Sequence, residues 1–257
     1  MPRVARPFED YSKRFRHIRI ERQNGIIELN LHTEGGPMKW GAGPHEELGY
    51  CFTDVANDPD NKVVIITGTG DVFCNETDVS SFGAFTPRDW GPLSQESKRL
   101  INSLLDIEAP VIGAVNGPAH IHSELVLLSD IVIAAENATF QDAVHFPIGV
   151  VPGDGMHVLW PALLGPNRGR YFLLTGEVLD AAEAKSLGFV GEVLPPQNLR
   201  ARAWELAEMI VKRPPLTLRY TRVALVQEWK RLMHDYLGSG LALEGGALFD
   251  FVPTDGH

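Results

Sequence analysis

The chain has 257 residues, of which 44% are hydrophobic and 22% charged, and its formal net charge is −10. This length and composition are typical of one large α/β domain or of a domain with a helical appendage. The excess of acidic residues argues against binding of nucleic acid or an anionic membrane, so we expect a small-molecule partner. With two cysteines, a charged opening segment and no apolar run of about 18 residues, the sequence predicts neither a disulfide framework, nor an export signal, nor a membrane span, and we expect a cytoplasmic protein.

Short apolar runs alternate with stretches of helical spacing in the first half of the chain. Buried strands are predicted for four β-branched runs, at Ile26–Asn30, Val63–Thr67, Val111–Val115 and Ile131–Ala135. Helices are predicted between them, at Glu46–Ala56, Glu96–Ile107 and Glu124–Leu128. Strands that alternate with helices indicate parallel pairing with right-handed crossovers.

The final third of the chain is predicted to be helical. The β signal weakens after Arg168, and helices are expected at Asn198–Val211, Leu216–Tyr236 and Leu241–Phe249. Such helices add little to the central core, and helices of this kind usually pack on another subunit or cap a site. We therefore divide the chain into a core, residues 1–197, and a helical region for oligomerisation and active-site capping, residues 198–257.

Four blocks of sequence resemble, in the same order, blocks of the crotonase superfamily, which includes enoyl-CoA hydratases and isomerases. They are Lys62–Asp78, Ala109–Ala135, Ala138–Gly155 and Leu174–Val190. The resemblance implies an α/β fold whose core of repeated β-β-α units forms a spiral, followed by C-terminal helices that build a homotrimer, often paired into a hexamer. It also implies a chemistry in which hydrogen-bond donors hold an enolate or another oxyanion.

The segments that carry those donors depart from the family pattern. Most members have a glycine-rich loop, N-G-x-A-x-G-G-G, because a backbone N–H must approach the substrate carbonyl closely. Here Asn116–Glu124 reads NGPAHIHSE, and the second donor segment reads FCNETD, in which Glu76 replaces a glycine although Thr77 matches the donor position. Both halves of the backbone oxyanion hole are altered, so a CoA-thioester hydratase or isomerase becomes the alternative interpretation.

Side chains with N–H groups are candidates to replace the lost backbone donors. His122 lies in the altered loop, and the indole of Trp40, in a turn-like segment before a predicted helix, can only donate a hydrogen bond. We predict that both stabilise the oxyanion, with a core aromatic position as the alternative for Trp40. His120 alternates away from His122 if the segment is extended, so we expect a structural role for it.

The positions of the two catalytic glutamates of family hydratases also differ. Glu124 matches the first, but the second position is occupied by His145. An imidazole can take a proton from water when a carboxylate on its other nitrogen fixes the tautomer, and Asp154 is predicted to be that carboxylate. The alternative for Asp154 is a cap of the helix that follows it. Ser123 is a weaker candidate for covalent catalysis, because loop serines most often bond locally.

A water-activating dyad of His145 and Asp154 beside enolate donors predicts hydrolysis of a carbon–carbon bond. A carbanion can leave a tetrahedral adduct only if a second carbonyl delocalises its charge, so the predicted substrate is a β-diketone. The pattern is similar to the β-diketone hydrolase branch of the superfamily, which cleaves a bridged bicyclic diketone to a keto acid by a retro-Claisen reaction. The resemblance implies two further contributors, His45 and Glu244 (the latter serving its own or a neighbouring subunit), and no cofactor or metal. The apolar pocket wall is expected among Phe82, Phe85, Leu125 and Val144.

Two other classes of function remain open from the sequence. A zinc hydrolase could use His120, His122, His145 and Asp154 as ligands, although a short H-x-H spacing is weakly specific. A crotonase-type RNA-binding protein without catalysis is the second, and the charge of −10 argues against it.

Overall fold

The computed structural model describes residues 5–83 and 86–251, and for 249–251 it describes the backbone only. The strands are β1 (Ile18–Gln23), β2 (Ile26–Leu31), β3 (Met38–Trp40), β4 (Val63–Gly68), β5 (Cys74–Thr77), β6 (Val111–Val115), β7 (Ile131–Ala135), β8 (Thr139–Phe140), β9 (Leu179–Asp180) and β10 (Glu192–Leu194). The helices are α1 (Phe8–Tyr11), α2 (Ala42–Asn57), α3 (Pro87–Leu105), α4 (Glu124–Leu127), α5 (Met156–Leu164), α6 (Pro166–Thr175), α7 (Ala181–Ser186), α8 (Pro196–Ile210), α9 (Pro215–Leu225) and α10 (Gln227–Phe251). Within the described residues, no helix is both long and apolar enough to cross a bilayer.

A six-stranded sheet in the order β1-β2-β4-β6-β7-β10 forms the centre of the fold. β1 and β2 are antiparallel, and the turn between them places Asn24 and Gly25 at φ 54° and 82°, the backbone that an Asn-Gly hairpin favours. The other neighbours are parallel. The four predicted strands and their parallel pairing are confirmed. β1 was not predicted, because charged residues interrupt its isoleucines.

Short strands form a second layer next to this sheet. β3 pairs with β5 in parallel, and isolated bridges join Cys74 to Ala119 and Ala119 to Phe140. Along the chain, β2, β3 and α2 form one unit, and β4, β5 and α3 form the next. This succession confirms the predicted β-β-α repeat. Because Ala119 bridges Phe140, the loops that follow β6 and β8 lie side by side.

Helix α8 covers one face of the central sheet. Its apolar side chains pack in a core cluster with residues of β2, β4, β6 and β7. Glu28, in the middle of β2 and only 3% exposed, receives hydrogen bonds from Arg200 Nε, at 2.9 and 3.1 Å, and from the indole of Trp204. The expectation that helices beyond residue 197 add little to the core is therefore wrong for α8.

The last two helices differ from the predicted boundaries. Instead of one helix over Leu216–Tyr236 and another over Leu241–Phe249, α9 ends at Leu225 and α10 runs without interruption to Phe251. Buried Arg222 explains the end of α9, because its guanidinium binds Asp130 Oδ1 at 2.5 Å and holds this helix on the core. α10 then takes a new direction, and its buried side chains Met233, Leu237 and Leu241 join the main core.

Candidate active site

The six predicted site residues form one connected cluster. Trp40 ends β3, His45 lies in α2, His122 precedes α4, His145 follows β8, Asp154 precedes α5 and Glu244 lies in α10. Each is buried, with between 4% and 9% of its surface exposed. A surface cavity of about 590 Å³, lined by Val55, Lys62, Ile107 and Leu216 among others, touches none of them. Cavity size alone therefore does not locate this site.

The imidazole of His145 lies between carboxylates on both of its nitrogens. Nδ1 is 2.6 Å from Asp142 Oδ1, while Nε2 is 3.5 Å from Asp154 Oδ2 and 3.9 Å from Glu244 Oε1. The carboxylate that can fix the tautomer through a short hydrogen bond is thus Asp142, and Asp154 faces the opposite nitrogen. The predicted proximity of His145 and Asp154 is present, but the carboxylate at hydrogen-bond distance from the ring is Asp142, which was not predicted from the sequence.

Asp154 lies between the two histidines of the cluster. Its Oδ2 is 3.5 Å from His145 Nε2 and also 3.5 Å from His122 Nδ1, and it forms no hydrogen bond within the described chain. Its Oδ1 accepts a hydrogen bond from the backbone N–H of Met156 at 3.4 Å, at the start of α5. The capping alternative and the site position therefore coexist, because the two oxygens of one carboxylate point in different directions.

The charges of the cluster shift the pKa values of its members. Burial lowers the pKa of His145, but the attraction of Asp154 and Asp142 outweighs burial and raises it to about 10. Burial and the repulsion of Asp154 raise the pKa of Glu244 to about 9. Burial also opposes ionisation of Asp154, yet the neighbouring His145 and His122 hold its pKa below the usual value. Near neutral pH these shifts favour an ionised Asp154 facing a protonated His145, with Glu244 retaining its proton.

His122 occupies its loop with a left-handed backbone, at φ 50°. Glycine adopts this conformation without strain, so the histidine keeps the backbone of a glycine loop and adds a side chain, at a cost on the order of 1–3 kcal/mol. Its Nδ1 is 2.7 Å from Glu124 Oε1. Burial raises the pKa of Glu124, and His122 offsets this only in part. The short contact with Glu124 engages Nδ1, so Nε2 is the ring nitrogen of His122 that can donate to a substrate oxygen.

Trp40 stacks on His122, with ring centroids 3.6 Å apart and an interplanar angle of 28°. None of the hydrogen bonds found in the described chain uses its indole N–H, so this donor is available to a ligand. His45 meets Trp40 edge-on at 5.7 Å, but Glu96 and Ser97 each lie 3.0 Å from one of its ring nitrogens. His45 is thus placed to hold Trp40, and contact with a substrate would require it to give up one of these partners.

Glu244 reaches the cluster because α10 approaches the loop before α5 very closely. A Cβ on Gly153 would lie 2.1 Å from the backbone oxygen of Gly240, so only glycine permits this contact. At the next residue, the indole of Trp90 donates to the backbone oxygen of Leu241 at 3.0 Å and fastens α10 to α3. Glu244 therefore belongs to the cluster of its own chain, and its Oε2 has no partner in the described residues.

The remaining predicted residues take a range of positions. Ser123 is fully buried and its Oγ has no hydrogen-bond partner in the described chain, so no Ser-His pair forms. His120 lies outside the cluster, with Nε2 2.7 Å from Thr139 Oγ1, and the set of zinc ligands that included it is not assembled. Thr77 is exposed and paired in register with Trp40. Among the pocket-wall candidates, Phe82 meets His45 edge-on, Leu125 is fully buried, Val144 is partly buried, and Phe85 lies outside the described residues.

A family model, enoyl-CoA hydratase/isomerase, matches residues 21–241 of the chain. The chain belongs to the enoyl-CoA hydratase/isomerase family. A crotonyl-CoA hydratase of Syntrophomonas wolfei is 34% identical over 215 residues, which cover 82% of this chain and 81% of that protein. A carnitinyl-CoA dehydratase of Citrobacter koseri is 34% identical over 176 residues, which cover 67% of this chain and 66% of that protein.

Solved structures of the enoyl-CoA hydratase/isomerase fold include a relative with a different described reaction. A β-diketone hydrolase from the cyanobacterium Anabaena sp. PCC 7120, bound to (S)-3-oxocyclohexyl acetic acid, is 47% identical, with a TM-score of 0.93 over 96% of this chain and 99% of that chain. An enoyl-CoA hydratase/isomerase from Mycobacterium paratuberculosis is 25% identical, with a TM-score of 0.84 over 93% and 95% of the two chains. The expected superfamily and α/β fold are thereby confirmed.

A variant of Glu124 distinguishes two roles for this residue, namely support of the His122 side chain and direct action as an acid or base. If Glu124 only supports His122, Glu124→Gln should keep the rate of the enzyme within about tenfold, because the glutamine side chain can still form a hydrogen bond with Nδ1. His122→Ala, which removes the donor itself, should lower the rate by on the order of 10². If Glu124 is instead the acid or base, Glu124→Gln should cost about 10²–10⁴. Initial rates of the two purified variants, compared with the unsubstituted protein, decide between these outcomes.

Proposed function

We propose that the protein hydrolyses a carbon–carbon bond of a bicyclic β-diketone by a retro-Claisen reaction and releases a keto acid. The observation that carries this proposal is the setting of His145. Its Nδ1 is held by Asp142 at 2.6 Å, and its Nε2 faces Asp154 Oδ2 at 3.5 Å and Glu244 Oε1 at 3.9 Å. A base oriented in this way suits removal of a proton from water, and an imidazole stands where family hydratases have a glutamate.

In the proposed reaction, the neutral Nε2 of His145 takes one proton from water, and the hydroxyl oxygen forms a bond to one carbonyl carbon. The bond from that carbon to the carbon shared by the two carbonyls then breaks, and its electron pair moves into the second carbonyl as an enolate. The N–H groups of His122 and Trp40 stabilise the enolate oxygen. The proton held by His145 is then delivered to the enolate carbon, so one diketone and one water become one keto acid.

The bound molecule of the cyanobacterial relative supports this substrate class. (S)-3-Oxocyclohexyl acetic acid contains a ring ketone and a carboxymethyl arm. Such a molecule results when water adds to a bicyclic diketone whose two carbonyls flank one bridgehead carbon and the bond from the attacked carbonyl to that bridgehead breaks. We extend this chemistry to the present chain because its cluster of histidines and carboxylates fits the same sequence of steps.

The test is incubation of the purified, EDTA-treated protein with a symmetric bicyclic β-diketone. We expect a product heavier by one water, with the infrared bands of one ketone and one carboxylate. Crotonyl-CoA serves as the parallel substrate, because curated relatives are named for CoA-ester reactions. Turnover of crotonyl-CoA with no change in the diketone would contradict the proposal and favour a CoA-thioester hydratase.

We also propose that the C-terminal region, residues 198–257, serves both assembly and the active site. Large apolar side chains on α9 and α10 are exposed, namely Leu216, Tyr220, Leu225, Tyr236 and Leu243. Exposed apolar area of this kind favours association with another protein surface, and the family resemblance implies a homotrimer. Light scattering should give three times the mass of one chain, or six times if trimers pair, and a monomer at micromolar concentration would contradict this assignment.

A further inference from the structure

Three ligand-type side chains in the cluster lie close enough together to share one metal ion. His145, Asp154 and Glu244 each offer one ligand atom, and these three atoms lie within 4.8 Å of one another. His145 Nε2 is 3.5 Å from the aspartate oxygen and 3.9 Å from the glutamate oxygen. Ligands at about 2.1 Å from a tetrahedral zinc ion are about 3.4 Å apart, and the separations of 3.5 and 3.9 Å lie close to that spacing.

Two features around His145, Asp154 and Glu244 indicate that this cluster can bind a cation. Asp154 Oδ2, on a residue 6% exposed, has no hydrogen-bond partner in the described chain, and neither has Glu244 Oε2. A buried carboxylate oxygen that accepts no hydrogen bond keeps part of its desolvation cost, even with two histidine nitrogens 3.5 Å away, and a bound cation would compensate it. In addition, Asp142 binds the remaining nitrogen of His145 at 2.6 Å, which is the carboxylate-histidine pairing that most metal-bound histidines have.

The three ligands come from separate parts of the fold that are held together tightly. The contact between Gly153 and Gly240 fixes the loop that carries Asp154 against α10, which carries Glu244. The neighbouring group of His122, Glu124 and Asp154 is less suitable, because His122 Nδ1 and Glu124 Oε1 are 2.7 Å apart and already share a hydrogen bond. To bind one tetrahedral ion together, these two atoms would have to move apart and lose their hydrogen bond.

We propose that His145, Asp154 and Glu244 bind a divalent transition-metal ion of the zinc type, and that this ion inhibits the enzyme. A metal on Nε2 of His145 occupies the lone pair that the proposed hydrolysis uses to take a proton from water. Binding and turnover therefore exclude each other. The consequence for turnover rests on the proposed function, whereas the binding itself does not.

The experiment titrates the EDTA-treated protein with cobalt(II) chloride and follows visible absorption, and then titrates it with zinc chloride in a calorimeter. We expect one equivalent of cobalt with the intense absorption of tetrahedral coordination, displacement by zinc, and loss of diketone hydrolysis in proportion to occupancy. Glu244→Gln, which removes a ligand at nearly constant shape, should abolish the cobalt spectrum. Asp142→Asn should weaken binding by about 10–100-fold.

The matched control is His120→Gln, which removes a histidine of the same loop region that lies outside the cluster, and it should bind cobalt normally. Circular dichroism of each variant reports whether it is folded. Absence of stoichiometric cobalt binding, or a cobalt spectrum that persists in Glu244→Gln or disappears in His120→Gln, would overturn the metal site. If instead the EDTA-treated protein binds cobalt but does not hydrolyse the diketone, the proposed function fails and the metal site stands.

Discussion

Replacing His145 by alanine should lower kcat/KM for a bicyclic β-diketone by on the order of 10³-fold or more. This side chain is the only described imidazole with one nitrogen held by Asp142 and the other facing the unpartnered oxygen of Asp154. Loss of a positioned general base typically costs 10²–10⁴ in rate, and the variant also leaves the carboxylates around it without their positive partner. Initial rates by mass spectrometry or by loss of the diketone absorbance provide the measurement.

The matched control for this variant is His120→Ala, because His120 is half-buried and bonds Thr139 outside the cluster. It should retain most of the activity. Thermal denaturation and circular dichroism should show that both variants are folded at the assay temperature. Near-normal turnover by a folded His145→Ala protein would remove the base from the proposed mechanism.

Asp142→Asn should have the second largest effect, lowering the limiting rate by on the order of 10²-fold or more. Asp142 is 1% exposed and its Oδ1 lies 2.6 Å from His145 Nδ1, so its charge both orients the ring and stabilises the imidazolium that forms when water is deprotonated. In a catalytic triad the equivalent aspartate-to-asparagine change costs about 10⁴ in kcat. Because this residue acts through His145, we expect the loss in kcat, with little change in KM.

The pH profile distinguishes this positioning role from a general loss of structure. Asp154 and Asp142 raise the pKa of His145 to about 10, and only the neutral ring can accept a proton from water. For the unsubstituted protein, log kcat/KM should therefore rise with pH and level off well above 6.5, the ordinary pKa of histidine. Asp142→Asn removes one of the carboxylates that raise this pKa, so its inflection should move to lower pH. Asp106→Asn, at an exposed aspartate paired with Lys230, should leave both rate and profile unchanged.

An unchanged inflection in Asp142→Asn, together with a reduced rate, would mean that Asp142 does not control the protonation of His145. An unchanged rate and an unchanged inflection would remove Asp142 from the site altogether. In the second case Asp154 would again be the leading candidate for the carboxylate that supports the base.

The comparison of His145 with its two aspartates shows what a sequence can and cannot predict about a site. The exchange of a family glutamate for His145, and the nearness of Asp154, followed from the positions of residues within a recognisable block. The choice between Asp142 and Asp154 as the partner of Nδ1 did not follow, because it depends on the orientation of the imidazole ring. Both aspartates lie within ten residues of His145 along the chain, so their spacing in the sequence does not say which ring nitrogen each one faces.

The tail illustrates the same limit for secondary structure. Helical spacing predicted helices near the observed ones, but it ended one at Tyr236 and began the next at Leu241, whereas α10 continues without interruption through this segment. The break occurs instead after Leu225, where the buried ion pair between Arg222 and Asp130 holds α9 in place. Local propensity is a weak prior, and a tertiary contact of this strength overrides it.

The sequence by itself determined the superfamily, four of the strand segments with their parallel pairing, and the residue types of the site. Apolar runs of strand length, and a histidine at the position where family hydratases have a glutamate, are properties of consecutive residues. They can be recognised without knowledge of the fold. Only the tertiary structure decided which of these side chains meet. The Gly153–Gly240 contact brings Glu244 to His145 across about a third of the chain, and Trp40 stacks on His122 from another layer. Such contacts depend on how distant segments pack, which no local pattern encodes.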